Sequence, residues 1–584
     1  MSNSNILAKC DMVLAVSEDT INYQFKQLWQ QSVIKKDWKL LVREVDSKGQ
    51  GGAVKTQEDS DFDDVMKAWN NAQKELSDLF AQKKYEEYGK KLGDYQSKGV
   101  LYNYGWSGNI NAPAITILQK DTQNLLFKLN FASGALYSSS DPTKPIITYD
   151  LKDTIYAFNV PIGRIEINDK NKILTPAAKD QVTKVIRDSG LTDADFTIES
   201  LFMDFENANI SNFDESTSKF PSGSTKSLQI TVEDYFKLVV AKEKNPFILG
   251  YGVSVKKIDS PKALFQPTSV HYSTSYSSKK GCNAFNFVMM QLGSDFPSGQ
   301  NVGILPKSLL ETASDISKID GVLAINYTYF QSAFLDPFIE ATQAAITKGF
   351  GTKKYTPNSQ KWSLSTKSSV TKNTDEPPSD GLQDTHIDSD MTLDSSMTLS
   401  NKNSELLLRT TIDYSLDIKV RPWELLHAGR HTEGEYWLST SGKHQKGPGG
   451  HVGQQGIVNV SIQTGTNGKM NVSIDKTQVP YIGYDKANYS GYKGVGIWGV
   501  IASDWQNFSE EDAEIASLKA AQKISTVIDD TKSALSDKIK SVNNGKVILP
   551  LGEIYSFNSI RLSTDTNQQD NPVLFDVKYA PVTS

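Results

Sequence analysis

Between residues 100 and 350 the chain repeats one pattern: short β-branched or aromatic runs, punctuated by Gly, Pro, Asn and Asp. Runs of this kind read as strands, and the turn residues between them mark where the chain reverses. The runs fall at 115–117, 125–131, 146–149, 154–160, 162–167, 195–205, 228–232, 247–255 and 269–276. Two others, 284–292 and 322–329, are continuously apolar, as strands covered on both faces are. Such a series commits the chain to a mainly β fold. Short helices are expected at 176–189 and 306–319, and a longer one at 330–347.

Helical spacing appears at the flanks. Leu14, Ile21, Phe25 and Leu28 fall on one face of an opening helix, extended by Trp29. After Gly49, Gly51 and Gly52, a second pattern runs from 62 to about 93 with Val65, Trp69, Ala72, Leu76 and Phe80 at helical intervals. Its mixed charge favours a solvated outer face over a membrane-surface helix. Near the end, Ser509 and Asp512 open a helix to about 542. Ile515, Leu518, Ile524, Ile528, Leu535 and Ile539 form its apolar face.

Long antiparallel strands flanked by amphipathic helices pose a physical problem: a curled sheet must fill its concave side with side chains, a helix or a ligand. The apolar helix faces suffice to plug a groove in part and leave a tunnel. Leu14, Ile21, Phe25, Leu28, Ile515, Leu518, Ile524, Ile528 and Leu535 are therefore the candidate groove residues.

From 351 to 404 Ser, Thr, Asp, Asn and Lys dominate, with Pro377 and Pro378 inside, as in a linker or a long exposed hairpin. This divides the chain into 1–350, carrying the helical insertion near 62–93, and a β-rich 405–584 that ends in the helix 509–542 and closing strands. In the latter, 406–420 and 457–474 read as long strands, the second pair joined by a turn at 465–468. The closing strands are expected at 546–551 and 573–579.

The chain resembles the forty-seven-kilodalton protein family encoded beside clostridial botulinum neurotoxins and related insecticidal toxins, with its OrfX relatives. Asp11-Met12-Val13-Leu14-Ala15-Val16-Ser17, followed by Thr20-Ile21-Asn22, is similar to the family's opening helix. The end carries the rest: Val547-Ile548-Leu549-Pro550-Leu551-Gly552, then Phe557, then Leu574-Phe575-Asp576-Val577-Lys578-Tyr579-Ala580. Where the family often has Gly-Gly this chain has Leu551-Gly552, and the Ser/Thr-rich segment is extra. The resemblance implies a tubular lipid-binding (TULIP-like) fold, a bent sheet wrapped around a long helix, in one or two modules. It also implies a toxin-associated gene cluster, co-encoded toxin partners, no signal peptide and no enzymatic activity.

Chemistry of other kinds finds little footing. A net charge of -6 and a pI near 5.7 argue against nucleic acid, which needs a basic surface. Cys10 and Cys282 are too few for a disulfide framework. No apolar run approaches the roughly 18 residues of a membrane span, and the first residues carry no signal pattern, so synthesis in the cytosol is expected. The one suggestive cluster is His427, His431, Glu435, His444 and His451, spaced for zinc on a helix but set in a Gly-rich loop, with Ala428 where a zincin needs Glu. It points to no catalytic or metal site, and no cofactor is expected. The rival function is sugar binding by a Gly-rich stretch, 481–505, with Tyr481, Tyr484, Tyr489, Tyr492, Trp498 and Trp505.

Overall fold

The computed structural model describes residues 6–44, 52–119, 121–139, 141–167, 196–240, 246–255, 267–291, 303–337, 356–358, 361–374, 383–403, 405–426, 430–433, 436–441, 456–464, 470–475, 547–548, 554–563 and 571–580, with a few isolated positions between them. The protein is mainly β, and every strand pairing among the described residues is antiparallel.

The first sheet begins with β1 (Met12–Ser17), β2 (Asp37–Arg43), β3 (Ala53–Thr56), β4 (Tyr104–Ile110), β5 (Ala114–Ile117), β6 (Asn124–Ser138) and β7 (Ile147–Asp150). It continues through β8 (Ile155–Glu166), β9 (Phe196–Met203), β10 (Ile248–Val255), β11 (Ser269–Ser275), β12 (Ala284–Met290) and β13 (Gly321–Ile325). A second sheet follows: β14 (Thr356–Asn358), β15 (Lys361–Thr374), β16 (Gln383–Lys402), β17 (Glu405–Leu426), β18 (Arg430–Glu433), β19 (Tyr436–Ser441), β20 (Gly456–Thr464) and β21 (Met470–Asp475). The chain then returns to the first sheet with β22 (Val547–Ile548), β23 (Ile554–Leu562) and β24 (Val573–Ala580).

The first sheet runs β11-β12-β1-β13-β24-β23-β22-β10-β9-β8-β6-β4-β2-β3, with β5 and β7 also on β6. It curls back on itself. A Cβ at Gly250 of β10 would lie 2.8 Å from the Phe287 ring of β12, and one at Gly252 would lie 3.1 Å from Val270 of β11. Glycine at these positions lets strands far apart in sheet order approach one another. Tyr272 of β11 donates its hydroxyl to the Ile162 carbonyl of β8, and Arg164 Nη1 donates to the Val270 carbonyl at 2.9 Å, closing the same turn.

Alternation sorts the faces. Met12, Leu14 and Val16 of β1 join Phe285, Phe287 and Met289 of β12 and Leu323 and Ile325 of β13 in the inner core. Val13 and Ala15 point outward, under Ile6, Leu7, Leu309 and Leu310. Because both faces of β1 are covered, it reads as an unbroken apolar run. This corrects the expectation for Leu14, which lies on a strand rather than the opening helix. The helix α1 (Glu18–Gln30) starts at Ser17, whose hydroxyl accepts from Thr20 N at 3.1 Å, with Glu18 and Asp19 in its first turn. It also covers the free edge of β5. Asn22 both donates to the Ile115 carbonyl and accepts from Ile115 N, and the Glu18 carboxylate accepts from Ile117 N at 2.8 Å.

Other expectations need correction. Residues 228–232 are helical, within α4 (Thr225–Tyr235); Leu228, Thr231, Val232 and Tyr235 are buried at helical spacing, which overrides the β-branched run. The strand at 322 stops at Ile325, where Asn326 Oδ1 accepts from Tyr329 N at 3.3 Å and opens the short α5 (Tyr327–Phe330). The pattern from 62 to 93 is two helices, α2 (Phe62–Ala81) and α3 (Tyr85–Ser97). The segment 306–319 forms two turns of 3-10 helix, Leu309–Thr312 and Ile316–Lys318.

Within the polar segment 351–404, the described strands β14, β15 and β16 pair antiparallel. The base of the segment is not exposed: Trp362, Met397 and Leu399 are buried with Leu406 and Leu408 of β17. Asn401 fastens it to the first sheet, donating to the Leu562 carbonyl at 3.0 Å and accepting from Leu562 N at 2.7 Å. The compositional division therefore differs from the structural one, because β22–β24 close the first sheet and the second sheet is inserted between β13 and β22. β17 is paired with β16 along most of its length, and on its other side meets β20, β19 and β18 in turn. β20 and β21 pair antiparallel, and the turn expected at 465–468 lies outside the described residues.

Candidate functional site

The inner face of the curled sheet is the candidate site, and two helices of similar construction lie in its core. In each, an α-helical stretch passes into a π-helical turn: α4 into Phe236–Val240, α5 into Gln331–Leu335. Such turns widen a helix locally and are frequent at functional sites.

α4 closes its part of the interior. Phe236 stacks on Phe205 at 4.2 Å and meets Phe127, Phe158 and Trp38 edge-on at 5.5 to 5.7 Å. Tyr235 stacks on Trp38 at 4.4 Å, while Trp106 packs on Phe131 at 5.1 Å. Edge-to-face and offset stacks of this kind stabilise beyond the area they bury. The hydroxyls here are also satisfied. Gln57 Nε2 donates to Tyr235 Oη at 3.1 Å, Tyr156 donates to the Ile210 carbonyl at 2.9 Å, and Tyr104 donates to the Asp234 carboxylate. Burial holds the half-buried Asp234 carboxyl above its usual range; the Tyr104 hydrogen bond opposes that shift.

Around α5 the contacts among the described residues are fewer. Phe330 stacks on Phe265 at 5.8 Å and tilts against Phe334 at 5.2 Å, and Tyr329 meets Phe265 edge-on. Phe334, Leu335 and Ile339 are buried in the same apolar cluster as the sheet's inner face. Tyr327 is buried, yet among the described residues its hydroxyl has no hydrogen-bond partner. Burial, with Asp336 nearby, pushes that hydroxyl's pKa up to about 12, so it is a neutral donor at physiological pH.

The sequence-derived residues divide accordingly. Ile21, Phe25 and Leu28 of α1 and Leu14 of β1 are each at most 1% exposed, and Phe25 packs on Phe247 at 6.2 Å. They form part of the packed core. Ile515, Leu518, Ile524, Ile528, Leu535 and Ile539 lie outside the described residues, as do the aromatic stretch 481–505, His427, Glu435, His444 and His451. His431 sits on β18, paired to β17. No group of three or more metal-ligating side chains occurs among the described residues. No described helix is long and apolar enough to cross a membrane. Sequence reasoning assigned no role to Tyr327 or Phe334; the only signal was Asn326, a helix cap placed just after an apolar run.

No family model matches the chain, and no curated protein matches it. Among solved structures it is similar to the crystal structure of a lipopolysaccharide binding protein, at 10% identity over 98% of this chain and 99% of that one, with a TM-score of 0.30, too loose a likeness to carry an argument.

Proposed function

We propose that the protein is a non-catalytic carrier of lipid or another elongated apolar ligand, held inside the curled sheet beside α5. The observation that carries this is the Tyr327 hydroxyl, buried against the apolar cluster of the sheet's inner face and without a hydrogen-bond partner among the described residues. A buried hydroxyl left unpaired costs about 1–3 kcal/mol, and an amphipathic ligand with an acyl chain and one polar group would supply its partner. The curled antiparallel sheet with helices inside it agrees with a TULIP-like architecture. On the resemblance of the chain's two ends, the carrier belongs to a toxin-associated set and acts as an accessory or insecticidal component.

Native mass spectrometry of the purified chain, followed by lipid extraction, tests the first part. Adducts of acyl-lipid mass that extract into organic solvent are expected. A protein that carries no lipid and takes up none from added phospholipid or fatty acid sinks the reading. Co-purification with the proteins encoded beside it tests the toxin-associated role.

A further inference from the structure

On the outside of the sheet, α2 and α3 form a hairpin whose two ends differ. α2 is anchored: Phe62 and Trp69 are buried against Leu41 and Tyr102, and Leu76 is fully buried. α3 has no buried residue at all. It is held to α2 by polar contacts, with Lys91 Nζ 2.8 Å from the Glu75 carboxylate and the Tyr95 hydroxyl donating to the same group. At the turn between them Phe80 is 38% exposed and Tyr85 58% exposed. Phe80 meets Tyr85 and Tyr88 edge-on at 5.4 and 5.5 Å, so the three rings form a small cluster outside the main core.

Lys83, Lys84 and Lys90 lie at the same turn, beside Tyr85, and make no ion pair among the described residues. With Tyr85, Glu86 and Glu87 they line a shallow notch at the tip. The two carboxylates stand in the first turn of α3, where the helix dipole favours them. Lys83 takes the left-handed conformation, φ 61°, in the turn that leaves α2.

We infer that this tip docks the protein onto an anionic membrane surface. Exposed rings that sit at a bilayer interface and lysines that reach the headgroup phosphates while their stems lie along apolar surface are the two components such docking needs. The lysines outnumber the carboxylates in the notch, which favours a negatively charged headgroup. The inference is separate from ligand loading, because the hairpin lies on the outer face and the proposed ligand inside.

The test is flotation of the full chain with vesicles of phosphatidylcholine and phosphatidylserine, against vesicles of phosphatidylcholine alone, with lipid content extracted in parallel. Binding to the anionic vesicles that weakens with salt is expected. The K83A/K84A/K90A variant should bind roughly a hundredfold more weakly, at about fivefold per lysine. An F80A/Y85A variant should also lose binding, and since all these side chains are exposed, both variants should keep the parent circular dichroism. Absence of binding by the parent, or undiminished binding by both variants, overturns the inference. So does capture by a protein partner through the same residues without vesicle binding. A protein that carries lipid yet ignores vesicles sinks docking alone; one that docks yet carries no lipid sinks the interior reading alone.

Discussion

α4 and α5 are built alike and differ in what surrounds them. Both enter the apolar interior of one sheet and both pass into a π-helical turn, but α4 sits in a dense ring cluster with its Tyr235 hydroxyl hydrogen-bonded and only the Trp106 indole N–H beside it lacking a described partner, whereas α5 meets fewer described rings and leaves the Tyr327 hydroxyl without a described partner. The first arrangement buys rigidity. The second is where the proposed ligand would sit, so that on this reading a packed core and a ligand site share one continuous apolar surface.

The largest expected effect lies at the rigid end. Phe236→Ala removes a ring in contact with Phe205, Phe127, Phe158 and Trp38, and should cost about 3–5 kcal/mol in urea unfolding. Lipid content per folded molecule should not change. A large loss of lipid from a folded Phe236→Ala protein would erase the distinction between the two helices.

Phe334→Ala should sharpen it. The ring is equally buried, but it meets fewer aromatic partners among the described residues, and on the proposed reading a ligand chain can occupy the space it leaves. A stability loss under about 3 kcal/mol is expected, together with altered lipid content or chain-length preference by mass spectrometry. Equal destabilisation by the two substitutions, with lipid unchanged in both, would make α5 a second core helix and nothing more.

Tyr327→Phe isolates the polar half of the argument. If the hydroxyl is unpaired in the empty protein, its removal should leave stability unchanged or raise it by about 1 kcal/mol, while lipid retention falls. Destabilisation of the lipid-free protein would show that the hydroxyl has a protein partner.

The difference between the helices was only partly visible in the sequence. Strands covered on one face were legible because polar and apolar residues alternate. β1 was not, because covering both faces erased its alternation and Leu14 fitted a helical stripe as well. β23 was missed for another reason. A register shift between Phe557 and Ser559 moves the buried set from Tyr555 and Phe557 to Ile560 and Leu562, breaking the period at mid-strand. α4 was misread because Ile230, Thr231 and Val232 favour a strand locally, while the rings that make it a helix come from distant strands. In β16, Met397 and Leu399 do alternate, but so few apolar residues among Ser, Thr and Asp read as a linker. The candidate site was the least legible, since an unpaired hydroxyl is a property of the packed interior and leaves no pattern along the chain.

The smallest expected effect concerns pH, and it tests whether α4 is locked by charge or by packing. Burial holds the folded Asp234 carboxyl above its usual value, with Glu233 adding to the shift and Tyr104 and Lys237 opposing it. The folded protein therefore keeps a proton on Asp234 at a pH where the unfolded chain, with a carboxyl near about 3.9, has released it. Stability from this group is present below the unfolded value and is lost as pH rises through the folded one. Above the folded value the half-buried carboxylate is then a cost, offset in part by the Tyr104 hydrogen bond. Asp234→Asn keeps an acceptor for that hydroxyl and removes the titration. The variant should be at least as stable as the parent at pH 7, and the parent's decline between about pH 4 and neutrality should flatten in urea unfolding measured across that range. Lipid content should be unaffected. A variant less stable than the parent at pH 7 would mean that the charge-assisted bond from Tyr104 outweighs the burial of the carboxylate, and that α4 is held in place by electrostatics as well as by its rings.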